Sequence, residues 1–147
     1  MYKIERRVFG YKLTFSGYIA GKEMTRWLED SRRELEESPA EFGVFVDMRN
    51  LGPLPPESRK LIREGQNLYR KEGMKRSAVI LADSSTSLHF RRIARESGIY
   101  NKERYINSST NPDWESAGIG WVRDGREPAR RCSDIIFSAP GDKESSG

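Results

Sequence analysis

The sequence predicts an α/β fold: a mixed sheet with an N-terminal hairpin, covered by helices in the order β-β-α-β-α-β-α-β-α. Three observations carry it. Tyr11, Leu13 and Phe15 alternate with Lys12, Thr14 and Ser16, the period of two of a half-buried strand. Two later runs, Gly43 to Met48 and Ser77 to Ala82, are nearly continuous in apolar residues, as strands buried on both faces are. Stretches with apolar residues at helical spacing separate these runs, which argues for crossover helices packed on a largely parallel sheet.

The elements follow in order. Tyr2 to Val8 holds Ile4 and Val8 among charges and forms the first strand of a hairpin, with Gly10 free to make a tight turn or bulge. A first helix runs from about Lys22 to Glu37: Met24, Trp27, Leu28, Ser31 and Leu35 make one stripe, and Pro39 ends it. Gly43 to Met48 is a central strand. Pro53-Leu54-Pro55-Pro56 is a stiff loop, and Pro56 suits the first turn of a second helix. That helix turns Leu61, Ile62, Gly65, Leu68 and Tyr69 to one side and is capped by Gly73. Ser77 to Ala82 is the next buried strand. Asp83-Ser84-Ser85-Thr86-Ser87 is rich in N-cap residues, and the helix behind it uses Phe90, Ile93, Ala94 and Ser97 and closes at Gly98. Arg104-Tyr105-Ile106 is a short strand. Asp113 caps a last helix carrying Trp114, Ala117 and Trp121.

The chain has 147 residues and a mass of 16.9 kDa, one domain's worth. We place the domain at residues 1–125 and a polar C-terminal tail at 126–147. The longest apolar runs, such as Ala78 to Ala82, fall far short of the roughly 20 residues that cross a bilayer. Met1 to Arg7 has no apolar signal core, and with one cysteine, Cys132, the expected compartment is the cytoplasm. A single histidine, His89, leaves little scope for His-based metal or triad chemistry.

The net charge of +4 comes from 26 basic and 22 acidic residues and is unevenly spread. The first helix region is acidic. The second carries Arg59, Lys60, Arg63, Arg70 and Lys71 against Glu64 and Glu72. Two helices of opposite sign make a bipolar surface that can steer a charged partner. The basic residues are not interleaved with aromatics, so no specific nucleic-acid platform is expected.

Candidate functional residues gather where strands end. Asp47 and Asp83 are read as ending central strands, where open α/β sheets place ligands. They either bind there or make a loop hydrogen bond and support a helix N-terminus. With no third acid in sight, no metal site is expected. His89 lacks an orienting acid, no Gly-x-Ser-x-Gly elbow or phosphate loop occurs, and no cofactor is implied. The basic start of the second helix is the more informative feature. Arg59 and Lys60, beside helix-start N–H groups and joined by Arg49, favour an anionic group. The tail run Ile135-Ile136-Phe137 either packs back on the domain or reaches a second copy as a homodimer.

Leu13 to Ile19, the strand Val44-Phe45-Val46-Asp47-Met48-Arg49, the pair Ser77 to Leu81 with Leu88 to Gly98, and the Trp114 to Val122 helix together resemble the SpoIIAA-like group of STAS domains. These are the sulfate transporter and anti-sigma-factor antagonist domains, a group also compared with a lipid-binding fold. The resemblance spans about residues 2–123. It implies a small cytoplasmic bacterial protein that acts by binding other proteins, or an acyl or nucleotide ligand. In the antagonists, an Asp-Ser-Ser-Gly loop after the central strand carries a phosphorylated serine. Here the aligned loop reads Leu54-Pro55-Pro56-Glu57-Ser58, so that acceptor motif is missing and Ser58 is the nearest hydroxyl.

The expected function is a non-enzymatic regulatory or interaction module. It would bind a protein partner through the strand-end loops and the second helix, using Asp47, Arg49, Ser58, Arg59, Lys60 and Asp83. The alternative is a carrier holding an apolar anionic ligand or lipid between sheet and helices, its head near Arg59 and Lys60. A module requires a filled core and an exposed patch. A carrier requires an apolar cavity on the order of several hundred Å³. An enzyme requires converging polar groups with perturbed pKa values.

Overall fold

In the computed structural model, residues 1–82 and 102–128 are described. They form a five-stranded sheet in the order β1-β2-β3-β4-β5, with β1 antiparallel to β2 and every other pair parallel. The strands are β1 (Tyr2–Arg7), β2 (Gly10–Gly17), β3 (Phe42–Leu51), β4 (Met74–Leu81) and β5 (Glu103–Asn107). The helices are α1 (Gly21–Leu35), α2 (Pro56–Glu72) and α3 (Trp114–Asp124). The mixed α/β sheet with its opening hairpin is therefore as the sequence predicts. The helix expected over 88–98 lies outside the described residues, as do His89, Asp83, Cys132 and the run from Ile135 to Phe137.

Helices α1 and α2 pack against each other, and α3 lies against β3, β4 and β5. The buried face of α1 is the predicted stripe of Met24, Trp27, Leu28, Ser31 and Leu35. It joins Tyr11, Leu13, Phe15, Val44, Val46, Met48 and Val79 in the larger core. The alternate residues Phe45, Ala78 and Ile80 build a second core with Ile106, Trp121 and Val122. Side chains alternate along a strand, so β3 and β4 each feed both cores. This is why their sequences lack alternation.

Trp27 sets how closely α1 and α2 approach. Its ring stacks on Tyr69 at 6.0 Å between centroids and meets the edge of Phe15 at 5.3 Å. A Cβ at Gly65 would overlap the outer carbons of the Trp27 ring, so the glycine is a seat rather than a hinge. Ser31 Oγ and Tyr69 OH are 2.7 Å apart and satisfy each other inside this contact.

Several boundaries differ from the sequence reading. The β1–β2 turn falls at Val8–Phe9, and Gly10 opens β2 with φ 145°, its missing Cβ admitting the Gly43 backbone. Strand β3 runs four residues beyond Asp47, because β2 extends alongside it as far as the Gly17–Leu51 pair. Asp47 is thus inside a strand and not at its end. Asp113 precedes α3 but makes no side-chain capping bond. The Asn111 side chain instead accepts the Asp113 N–H at 3.0 Å.

Replacing Gly65 with Ala should destabilise the protein by about 1–3 kcal/mol, because the added methyl must push Trp27 aside. Urea unfolding with and without the substitution measures this.

Candidate functional site

The ends of β2 and β3 and the start of α2 come together. The Gly52 N–H donates to Gly17 O at 3.0 Å, which ties the proline loop to the exit of β2. Ser58 Oγ donates to Ile19 O at 2.7 Å and is fully buried, so it fastens the first turn of α2 to the segment before α1. Pro55 and Pro56 provide the helix start, with no side-chain cap. Outside this frame stand Tyr18, 67% exposed, the first-turn Glu57, and Arg59 and Lys60 just behind it. Arg59 is half-buried, Lys60 is exposed, and neither makes an ion pair with a described residue. Met1, 74% exposed, is at the same end, where its carbonyl accepts the Ser16 N–H at 2.8 Å.

Asp47 and Arg49 form one unit on the α3 side of the sheet. Arg49 Nε and Nη2 donate to the two Asp47 oxygens at 3.0 and 2.9 Å, and its backbone N–H adds a third bond at 3.1 Å. The guanidinium lies 3.9 Å over the Trp114 ring of α3. Burial pushes the Asp47 carboxyl up, but the Arg49 hydrogen bonds and the charges of Arg49 and Lys12 outweigh it and hold it below its ordinary value. The acid is a carboxylate whose lone pairs are committed to Arg49, so its role is to hold that arginine in place.

A second cluster, unseen in the sequence, lies between β4 and β5. Glu103 is buried; Ser77 Oγ donates to its Oε1 at 3.0 Å and Tyr105 OH to its Oε2 at 2.7 Å. Burial raises the carboxyl to about 7, and the two hydroxyl bonds only partly counter this. Glu103 and Ser77 line a small cavity of about 40 Å³ with Leu13, Val46, Ile62, Gln66, Tyr69 and Val79. That holds about two or three waters. The only sequence signal for Glu103 is an acid opening a short strand, which is unremarkable because strands often begin with a polar residue.

The structure thus joins Asp47 to Arg49, sets Arg59 and Lys60 on a separate shoulder at the start of α2, and keeps Ser58 inside. Asp83 lies outside the described residues. No group of three His, Cys, Asp or Glu side chains among the described residues could hold a metal ion. No helix among them is long and apolar enough to cross a membrane.

No family model matches the chain, and no curated protein matches it. One solved structure is similar: an uncharacterized protein from the DUF3478 family with a SpoIIAA-like fold, from Shewanella loihica PV-4. The two chains are 14% identical, with a TM-score of 0.56 over 83% of this chain and 92% of the other. This likeness is one of fold, and it agrees with the SpoIIAA-like architecture.

Two substitutions test the site's construction. Ser58→Ala should cost about 1–3 kcal/mol by stranding the Ile19 carbonyl, measured by urea unfolding. Asp47→Asn should cost about 1–2 kcal/mol at neutral pH through weakened charge-assisted bonds to the partly exposed Arg49. A depressed carboxyl stabilises above its unfolded value and loses that contribution as pH falls through its folded one. The gap between wild type and Asp47→Asn should therefore close below about pH 4.

Proposed function

We propose that this domain is a non-catalytic recognition module that binds an acidic, partly apolar surface of a protein partner at the ends of β2 and β3 and the start of α2. The observation that carries this reading is the exposure of Tyr18, 67% accessible, on a frame held by the Gly52–Gly17 and Ser58–Ile19 hydrogen bonds. Aromatic rings on rigid frames are favoured contact anchors, because little entropy is lost when they are covered. Arg59 and Lys60 supply positive charge beside it, and the rest of α2 continues the basic character through Arg63, Arg70 and Lys71. Such a surface speeds encounter with a negative partner and sets orientation. Arg49, held by Asp47 and stacked on Trp114, is a preorganised cation that we assign to the outer part of the same interface.

Two observations favour recognition over the other readings. The cavity between α2 and the sheet, at about 40 Å³, falls well short of the roughly 300 Å³ at which small-molecule pockets begin, so an acyl chain has no room there. The polar groups that converge at Glu103 are bonded to one another, a hydroxyl on each carboxyl oxygen, and no nucleophile–base pair is set beside them among the described residues.

The test compares two ends of the molecule. Partner captured from the host should be lost, with affinity falling on the order of 10- to 100-fold, for Tyr18→Ser and for the double variant Arg59→Glu with Lys60→Glu. It should be retained by Val8→Ser at the opposite hairpin turn. Binding should weaken as salt rises. Equal capture by all three variants, or a small molecule retained in native mass spectrometry, contradicts the proposal.

A further inference from the structure

The start of β5 is fastened to β4 on both faces of the sheet. On the α1–α2 side, Glu103 accepts the Ser77 and Tyr105 hydroxyls at 3.0 and 2.7 Å. On the α3 side, the Trp121 indole N–H donates to Ser77 O at 2.9 Å and Lys102 O at 3.3 Å, so one donor clamps the residue before Glu103 to its neighbour strand. Arg104 covers the Trp121 ring at 4.1 Å and pairs with Glu127, which commits its charge to that face.

We propose that Glu103, Ser77 and Trp121 form a proton-operated latch on the edge strand: β5 is docked against β4 when Glu103 is protonated, and its start loosens when Glu103 ionises.

The groups around the carboxyl support this. From β4 the facing group is the Ser77 hydroxyl, and from β5 it is the Tyr105 hydroxyl. From α2 the same cavity receives Gln66 and Tyr69, the latter held neutral by burial and bonded to Ser31. From α1 comes Trp27, and from β2 and β3 only apolar side chains. No described residue places a cation on the Glu103 carboxyl. On protonation the Ser77 bond reverses, the hydroxyl turning to accept from the acid at Oε1 while Oε2 still accepts from Tyr105. A carboxylate there is a buried charge paired with two hydroxyls and with no counter-ion among the described residues, an arrangement proteins relieve by protonation or by admitting water. The adjoining cavity is the nearest space for that water. Loosening β5 exposes the carboxylate, and the same movement pulls Lys102 O from the Trp121 N–H.

The sign follows from proton affinity. The docked form holds the proton up to about pH 7, whereas an exposed glutamate releases it near its ordinary value. Raising pH between those values favours the loosened form, and the effect levels off above the upper one. The opening equilibrium should rise on the order of 50-fold between about pH 5 and pH 8.

The experiment uses the full chain. Carboxyl-detected NMR follows the Glu103 titration, and amide hydrogen exchange at Tyr105 and Ile106 is corrected for the intrinsic effect of pH. Trp121 emission gives a third signal, with Trp121→Phe identifying its share. Wild type should titrate near neutrality, with exchange rising in step. Glu103→Gln should keep β5 protected across the range. Ser77→Ala, which removes one donor to the carboxylate, should move the midpoint upward; a merely structural loss would lower protection at every pH without moving it. A Glu103 titration near the ordinary glutamate value overturns the latch. So does a pH profile unchanged in Glu103→Gln.

Discussion

The two-sided burial of β3 is the constraint from which the rest follows. Val44, Val46 and Met48 face the α1–α2 layer while Phe45 faces α3, so neither surface of the strand meets water over most of its length. A strand in that position can carry a charge only where the charge is answered. Asp47 is that exception, and its answer is local: Arg49, two residues on, returns to both carboxylate oxygens and rests on Trp114. The pairing of a buried acid with the following arginine fixes the guanidinium at the rim of the sheet.

The helices meet this constraint in different ways. α1 and α2 close over one face through the Trp27 ring seated on Gly65, with aromatic edges from Phe15 and a stacked Tyr69 completing the contact. α3 closes the other face, and its glycines let it come near: a side chain at Gly118 would strike Phe45 and Ile80. Next to Glu103, between α2 and the sheet, the packing leaves a small cavity. Burial of Glu103 raises its carboxyl, because the ionised form loses hydration there.

Two kinds of polar group therefore coexist in one fold. At the rim, Tyr18, Arg59 and Lys60 stand on a frame whose hydrogen bonds are internal. Inside, Ser31, Ser58 and Ser77 are buried and serve the packing: each hydroxyl is matched within its own contact. Ser58, expected to contact a partner, belongs to this second kind.

The sequence by itself determined the order of the described elements, the α1 stripe and the identity of the two-sided strands, because side-chain periodicity records which faces meet water. It also located the proline start of α2 and the basic residues that follow its first turn, which are local properties. Asp47's place within β3 was not legible, since strand length was set by the neighbouring β2 ladder. Asp113 looked like a cap, yet Asn111 tied the turn, a choice made by loop geometry. Ser58 reads in the sequence as a partner contact, yet its hydroxyl is buried and bonded to Ile19 O. Glu103 gave no local signal at all: its meaning depends on Ser77, 26 residues earlier, and on a cavity formed by elements that meet only in space. Periodicity reports burial, whereas the partner of a buried polar group is decided by which distant surfaces fold against it.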